Sequence, residues 1–243
     1  MTASDLRALH HGRIPGDPLV LPGPWDAASA RVLADAGFPA LATPSAGVAA
    51  SLGYEDGETP ADEMFAAVAR IVRAVPVPVT ADIEGGYGLA AGELVERLLA
   101  TGAVGCNLED TAGGVLVDAG RQADRLAEVR AVAGDALFVN ARVDCYVTGV
   151  ADGTDPGAET LRRARLYKAA GADCVYPIAA PPELFGPLAE ALPGLPLNAL
   201  ARPDGPGPRR LGELGATRIT FGPGLQRRAM AAVRGIADEL RSV

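Results

Sequence analysis

The chain has 243 residues, 49% apolar and 21% charged, with a formal net charge of −8. Such a composition buries a real core and excludes a disordered chain, and the acidic balance argues against a nucleic-acid binder. Three cysteines are too few for a disulfide framework, and no apolar run nears the roughly 20 residues that span a bilayer, so a cytoplasmic protein is expected.

Short apolar runs of β type are expected at 19–21, 40–43, 77–82, 104–109, 137–142, 173–177, 195–200 and 217–221. They are apolar on both faces, as parallel strands covered by helices must be. Amphipathic stretches alternate with them at 27–36, 60–74, 91–101, 122–132, 158–170, 182–192 and 208–214, and a last helix is expected over 225–241. Most of these helices stop at a glycine, among them Gly37, Gly102, Gly134, Gly171, Gly194 and Gly215. Eight strands alternating with eight helices in a chain of this length predict an α/β fold, a (β/α)8 TIM barrel, as a single domain over 1–243.

The chemistry of such a barrel lies at the C-terminal ends of its strands. Those ends carry Asp82 and Glu84, then Glu109 and Asp110, then Arg142 and Asp144, then Asn198, while Asp56 lies in the segment after the second strand. Carboxylates gathered on one rim repel one another unless a cation neutralises them. Hard oxygen ligands without His or Cys favour Mg²⁺, with Mn²⁺ as the alternative. Arg142 beside them is expected to clamp a substrate carboxylate or phosphate bidentately.

Other residues are expected to do less. His10 and His11 precede the first strand and are expected in solvent, Cys106 and Cys174 in the packed strands, and Cys145 nearer the rim. Lys168, the only lysine among 22 basic residues, falls mid-helix, which removes a Schiff-base mechanism. Gly86-x-Gly88-x-x-Ala91 matches a dinucleotide fingerprint, but Asp82 and Glu84 directly before it would repel a pyrophosphate.

Five motifs in order resemble the isocitrate lyase / phosphoenolpyruvate mutase superfamily. They are Pro22-Gly-Pro-Trp25-Asp26, Ser45-Ala46-Gly47 leading to Asp56, Asp82-Ile-Glu84-Gly-Gly-Tyr87-Gly88, Leu108-Glu109-Asp110 and Ala141-Arg142-Val143-Asp144. The resemblance covers about residues 20–230 and implies that barrel. It implies Asp82 as the direct Mg²⁺ ligand, with Glu84, Glu109 and Asp56 binding directly or through waters. It implies Trp25, Ser45, Ala46, Gly47, Arg142 and Asn198 around the substrate, and a homo-oligomer, dimeric or tetrameric.

The activity implied is lyase-type cleavage of a C–C bond in a small 2-oxo- or 2-hydroxy-dicarboxylate through a metal-stabilised enolate. The loop after the fourth strand departs from the family, carrying no Cys, Lys or His between Thr111 and Gln122. Asp118, Arg121 and Tyr87 are therefore the candidates for moving a proton. Phosphonate P–C chemistry is the alternative, and an inactive metabolite-binding barrel is a third reading. Glu84 stands where the family usually has Asp, and Tyr176 follows a strand where lyases tend to place Glu.

Overall fold

Each expected strand forms in the computed structural model, which describes residues 1–242. The strands are β1 (Leu19–Val20), β2 (Leu41–Thr43), β3 (Val79–Asp82), β4 (Gly105–Glu109), β7 (Phe138–Val143), β8 (Cys174–Pro177), β9 (Asn198–Leu200) and β10 (Arg218–Thr220). All pair in parallel, in the orders β2-β3-β4-β7-β8 and β1-β10-β9. Two links close the ring. Val175 bridges Leu197 between β8 and β9, and the Ala42 amide donates to the Pro22 carbonyl at 3.1 Å. The fold is the α/β barrel expected of the phosphoenolpyruvate mutase type.

Register decides what meets inside. Asp82 lies opposite Asn107, Asn107 opposite Asn140, Glu109 opposite Arg142, and Asn198 opposite Arg218. Alternate residues of a strand share a face, so the acids of the rim stand above a polar interior of Asn107, Asn140, Asn198 and Arg218, all buried. Packing is tight where β4 meets β7: a Cβ on Gly105 would come within 2.8 Å of the Phe138 carbonyl oxygen.

The outer helices form for ordinary local reasons. Asp26 caps α2 (Ala27–Asp35) by accepting from the Ser29 amide at 2.7 Å. Asp155 caps α7 (Pro156–Ala169), which has proline in its first turn. In α4 (Ala61–Val72), Met64, Phe65, Val68 and Ile71 form the buried stripe. Lys168 sits on α7, and its ammonium donates to the Pro193 carbonyl at 2.9 Å.

Three elements depart from expectation. Residues 45–52, expected as a loop, form α3 (Ser45–Leu52). The expected loop after β4 folds as an antiparallel hairpin, β5 (Thr111–Ala112) and β6 (Val115–Leu116). Gly113 and Gly114 at its tip both have positive φ, the conformation a two-residue hairpin turn needs. Finally, α1 (Ala3–His10) closes the N-terminal mouth of the barrel. Leu6 packs with Leu19, Leu21, Ala40 and Phe138, and Arg7 ion-pairs with Asp173 at 2.8 Å.

That plug overturns the expectation for His10. The ring is buried and stacks on Phe138 with centroids 4.3 Å apart. Its Nδ1–H donates to the Leu6 carbonyl oxygen at 2.7 Å, leaving Nε2 buried without a partner. Burial and nearby Arg218 lower its pKa from 6.5 to about 3. The folded value lies below the unfolded one, so stability from the neutral ring is complete above pH 6.5 and is lost as pH falls toward 3. One proton gives a slope of at most about 1.4 kcal/mol per pH unit. Urea unfolding from pH 7 to pH 4 is expected to be steeper for the wild type than for His10→Phe; parallel curves would refute the assignment. Cys145, just beyond the end of β7, is buried like Cys106 and Cys174.

Candidate active site

The C-terminal rim holds a cavity of about 120 Å³. Ser45, Ala46, Asp56, Asp82 and Arg142 line it, as the sequence suggests, together with Thr43, Asn107, Tyr176 and Thr220. Asp82 is its buried centre. The Ser45 hydroxyl and the Glu84 amide each donate to its carboxylate at 3.3 Å, and Arg142 Nη1 stands 3.8 Å away. Its own amide donates to Thr43 Oγ1 at 3.4 Å.

Arg142 is where the structure revises the sequence reading most. Its Nε and Nη2 engage both carboxylate oxygens of Asp144, at 2.7 and 2.9 Å. Its Nη1 pairs with Glu109 at 2.8 Å. The bidentate fork expected to hold a substrate is therefore taken by Asp144, two residues along on the same side of the chain. Arg142 serves as the shared counter-charge of the acids: burial alone would lower its pKa, but Asp82, Glu109 and Asp144 together raise that already high value further.

One arginine does not satisfy this group. Burial raises the pKa of Asp82 despite Arg142. Burial, then Asp82 and Asp56, raise Glu84 to about 7. Burial raises Glu109 to about 8 against the pull of Arg142. Each carboxylate resists ionisation here, so the site is short of positive charge. Glu84 Oε1 is buried without a hydrogen-bond partner among the described residues, and so is the Tyr87 hydroxyl oxygen. Burial, then Glu84 and Asp82, push the Tyr87 phenol up, so it stays protonated.

The backbone beside these acids is strained. Glu84 and Tyr87 have positive φ, of 53° and 56°, which costs non-glycine residues about 1–3 kcal/mol each. Gly86 and Gly88 share that handedness without the penalty and complete the tight turn. At α3, the first amides, of Ser45, Ala46 and Gly47, precede the first intrahelical bond, Val48 N–H to the Pro44 carbonyl at 3.0 Å. An anion is a natural partner for such donors.

The remaining predicted residues lie elsewhere. Asp118 is the N-cap of α6 (Ala119–Ala133), exposed and accepting from the Gly120 and Arg121 amides at 2.9 and 3.0 Å. Those bonds lower its pKa, which suits a cap and not a proton donor. Arg121 is exposed beside it, in a surface depression with Asp124 and Arg125. Neither enters the rim cavity, because the hairpin carries the chain away before α6 begins. Trp25 and Gly47 pack against each other beside Gln226, outside the cavity wall. Asn198 lies one layer below, accepting from Thr220 Oγ1 at 3.2 Å.

The support beneath was not foreseen. Asp110, fully buried, accepts from Tyr167 at 2.7 Å, from Arg163 at 3.0 Å and from the Asp144 amide at 2.9 Å. Thr111 adds a bond to Asp144 at 3.0 Å. Arg218, also fully buried, donates to Asn107 at 3.5 Å, and its Nε and Nη1 have no hydrogen-bond partner among the described residues. Counting back two residues from Glu109 and Arg142 would have placed Asn107 and Asn140 on the inner face.

Comparison with known proteins agrees with this fold. The family model described as phosphoenolpyruvate phosphomutase matches residues 6–241. The chain belongs to the phosphoenolpyruvate mutase family. An uncharacterised protein of Mycobacterium tuberculosis is 35% identical, over 95% of this chain and 88% of its own. A solved Burkholderia cenocepacia structure, provisionally named a phosphonomutase, is 39% identical, covers 98% of both chains and superposes with a TM-score of 0.89. The solved 2,3-dimethylmalate lyase is 30% identical over 100% of this chain and 88% of its own, with a TM-score of 0.84. This superfamily of lyases and mutases acts on small carboxylates, and the chain is a member of an enzymatic group.

Proposed function

We propose that this member is a Mg²⁺-dependent enzyme that cleaves a carbon–carbon bond of a small 2-oxo- or 2-hydroxy-dicarboxylate through an enolate. The observation that carries the reading is the acid group itself: buried Asp82 and Glu109 share one arginine, Arg142, at 3.8 and 2.8 Å, and Glu84 Oε1 beside them is buried without a hydrogen-bond partner among the described residues. Among the described residues no three acids close into an all-protein metal cage. Mg²⁺ does not ask for one, since it usually keeps several waters and takes one or two carboxylates. The donor set fits that habit, with Asp82 holding the ion and Glu84, Glu109 and Asp56 contributing directly or through waters. Bound there, the ion would supply Lewis-acid stabilisation of charge developing on a substrate oxygen.

The chain's own groups supply the rest. The first amides of α3 and the Ser45 hydroxyl are placed to receive a carboxylate. Arg142 holds Glu109 and Asp82 in position. Tyr87, held protonated and without a partner among the described residues, is the group to donate a hydrogen bond; Asp118 and Arg121 are set aside.

The test is ¹H and ³¹P NMR of incubations with oxaloacetate, 2-methylisocitrate, a dialkylmalate, phosphonopyruvate and phosphoenolpyruvate. Loss of a dicarboxylate with Mg²⁺, abolished by EDTA, is expected. Turnover of a phosphonate alone would instead assign P–C chemistry.

A further inference from the structure

Asn107 lines the acid-lined cavity from one layer below the rim. It lies on β4 two residues before Glu109, so it faces inward with it. Register sets it opposite Asp82 on β3 and Asn140 on β7. Its side chain is buried, and its carbonyl and amino ends meet different surroundings.

The neighbours decide which end faces the cavity. Asn107 Oδ1 accepts from Asn140 Nδ2 at 2.7 Å, and Arg218 Nη2 stands 3.5 Å from the same oxygen. Asn140 cannot fix the orientation by itself. Each amide carries a donor at one end and an acceptor at the other, so the pair could turn together and still bond. Arg218 breaks that symmetry, because a guanidinium only donates and keeps its charge. It is fully buried, and among the described residues its one hydrogen bond goes to Asn107. Away from water such a charge acts strongly on the nearest dipole. The reversed amide would turn an N–H onto this cation and a carbonyl oxygen toward the acids of the cavity. The carbonyl end of Asn107 is therefore locked inward, and Nδ2 is left on the cavity side, donating to no group among the described residues.

That leaves a free donor where others are spent. Arg142 gives Nε and Nη2 to Asp144 and Nη1 to Glu109, and the Ser45 hydroxyl donates to Asp82. A fixed N–H in a water-poor pocket acts most on an oxygen that gains negative charge during the reaction. An amide does so without losing a proton and without adding a charge to the acid group.

We infer that Asn107 Nδ2 donates to the substrate oxygen on which negative charge develops, and that buried Arg218 is the positioning residue that holds the amide this way round. This inference rests on the enolate reading proposed above and adds two residues to it.

Calorimetric titration of the full chain with oxalate in Mg²⁺ tests it, since oxalate is a planar dianion that mimics a carboxylate beside an enolate oxygen. Asn107→Leu, or Asn107→Ala should the leucine variant not fold, is expected to weaken oxalate about 10- to 100-fold, as loss of a hydrogen bond to a charged group should. Turnover is expected to fall about 10²- to 10³-fold, while affinity for Mg²⁺ alone changes little. Arg218→Met is expected to weaken oxalate about three- to tenfold, and Arg218→Lys, which keeps a donor-only cation, to restore most of that loss. In the Asn107→Leu background Arg218→Met is expected to cost no further oxalate affinity, because it acts through the amide already removed. If Asn107→Leu leaves oxalate affinity and turnover unchanged, or weakens Mg²⁺ alone as much as oxalate, the inference is overturned and the proposed function survives. Fully additive losses from Arg218→Met and Asn107→Leu would remove Arg218 as the positioning residue. If the wild type binds no oxalate and turns over no dicarboxylate, both readings fall.

Discussion

Replacing Asp82 with Asn is expected to lower turnover by at least roughly 10³-fold, the scale for removing a principal charge-stabilising group from an active site. Mg²⁺ affinity, measured by calorimetry, is expected to fall with it. Stability is expected to move the other way. Asp82 is a buried carboxylate whose pKa burial raises, with Arg142 only 3.8 Å away to offset it. A neutral isostere keeps the hydrogen bond from Ser45 and removes a charge that folding desolvates at a cost. The thermal midpoint is therefore expected not to fall, the usual pattern where function and stability compete. Retained turnover would remove Asp82 from the mechanism, and a collapsed midpoint would make it a structural residue.

The largest stability effect is expected below the rim. Asp110 has no exposure, and among the described residues Arg163 is its one cation at hydrogen-bond distance. Arg163 also bonds Glu159 at 2.8 Å and the Val117 carbonyl at 2.9 Å, tying α7 to the end of the hairpin. Arg163→Met leaves a buried carboxylate without its counter-charge, which costs about 3–5 kcal/mol. For a chain of this size that is a loss of roughly 6–20 °C in the thermal midpoint. The double variant Asp110→Asn with Arg163→Met should recover part of the loss, since no uncompensated charge remains.

The same pair reaches the chemistry. Asp110 holds the Asp144 amide at 2.9 Å, and Asp144 holds Arg142. Asp110→Asn is accordingly expected to reduce turnover as well as stability. A loss below about 1 kcal/mol from Arg163→Met, in the range of exposed ion pairs, would mean that the network is not the support described.

Much of this was legible along the chain. Strand and helix periodicity is local, and eight alternating units at this length leave few architectures. The acids of the rim were legible for a related reason: strand ends of a barrel converge whatever the rest of the sequence does, so Asp82 and Glu109 come within 3.8 and 2.8 Å of Arg142, with Glu84 joined to Asp82 through its amide.

What a side chain does after arriving is a different matter. Asp144 stands only two residues from Arg142, yet the sequence does not show that it fills the fork, and only strand register sets Glu109 opposite it. His10 looks like a polar tail residue until α1 is seen folded across the mouth onto Phe138. Asp118 looks like a loop acid until the hairpin turns the chain and makes it a cap. Arg163, 53 residues from Asp110, and Arg218, 111 residues from Asn107, become meaningful only through contacts between distant segments. Periodicity and motif order are local properties that a sequence displays. Burial, pairing and the sharing of one charge among several partners depend on three-dimensional neighbours, and only the tertiary structure decided them.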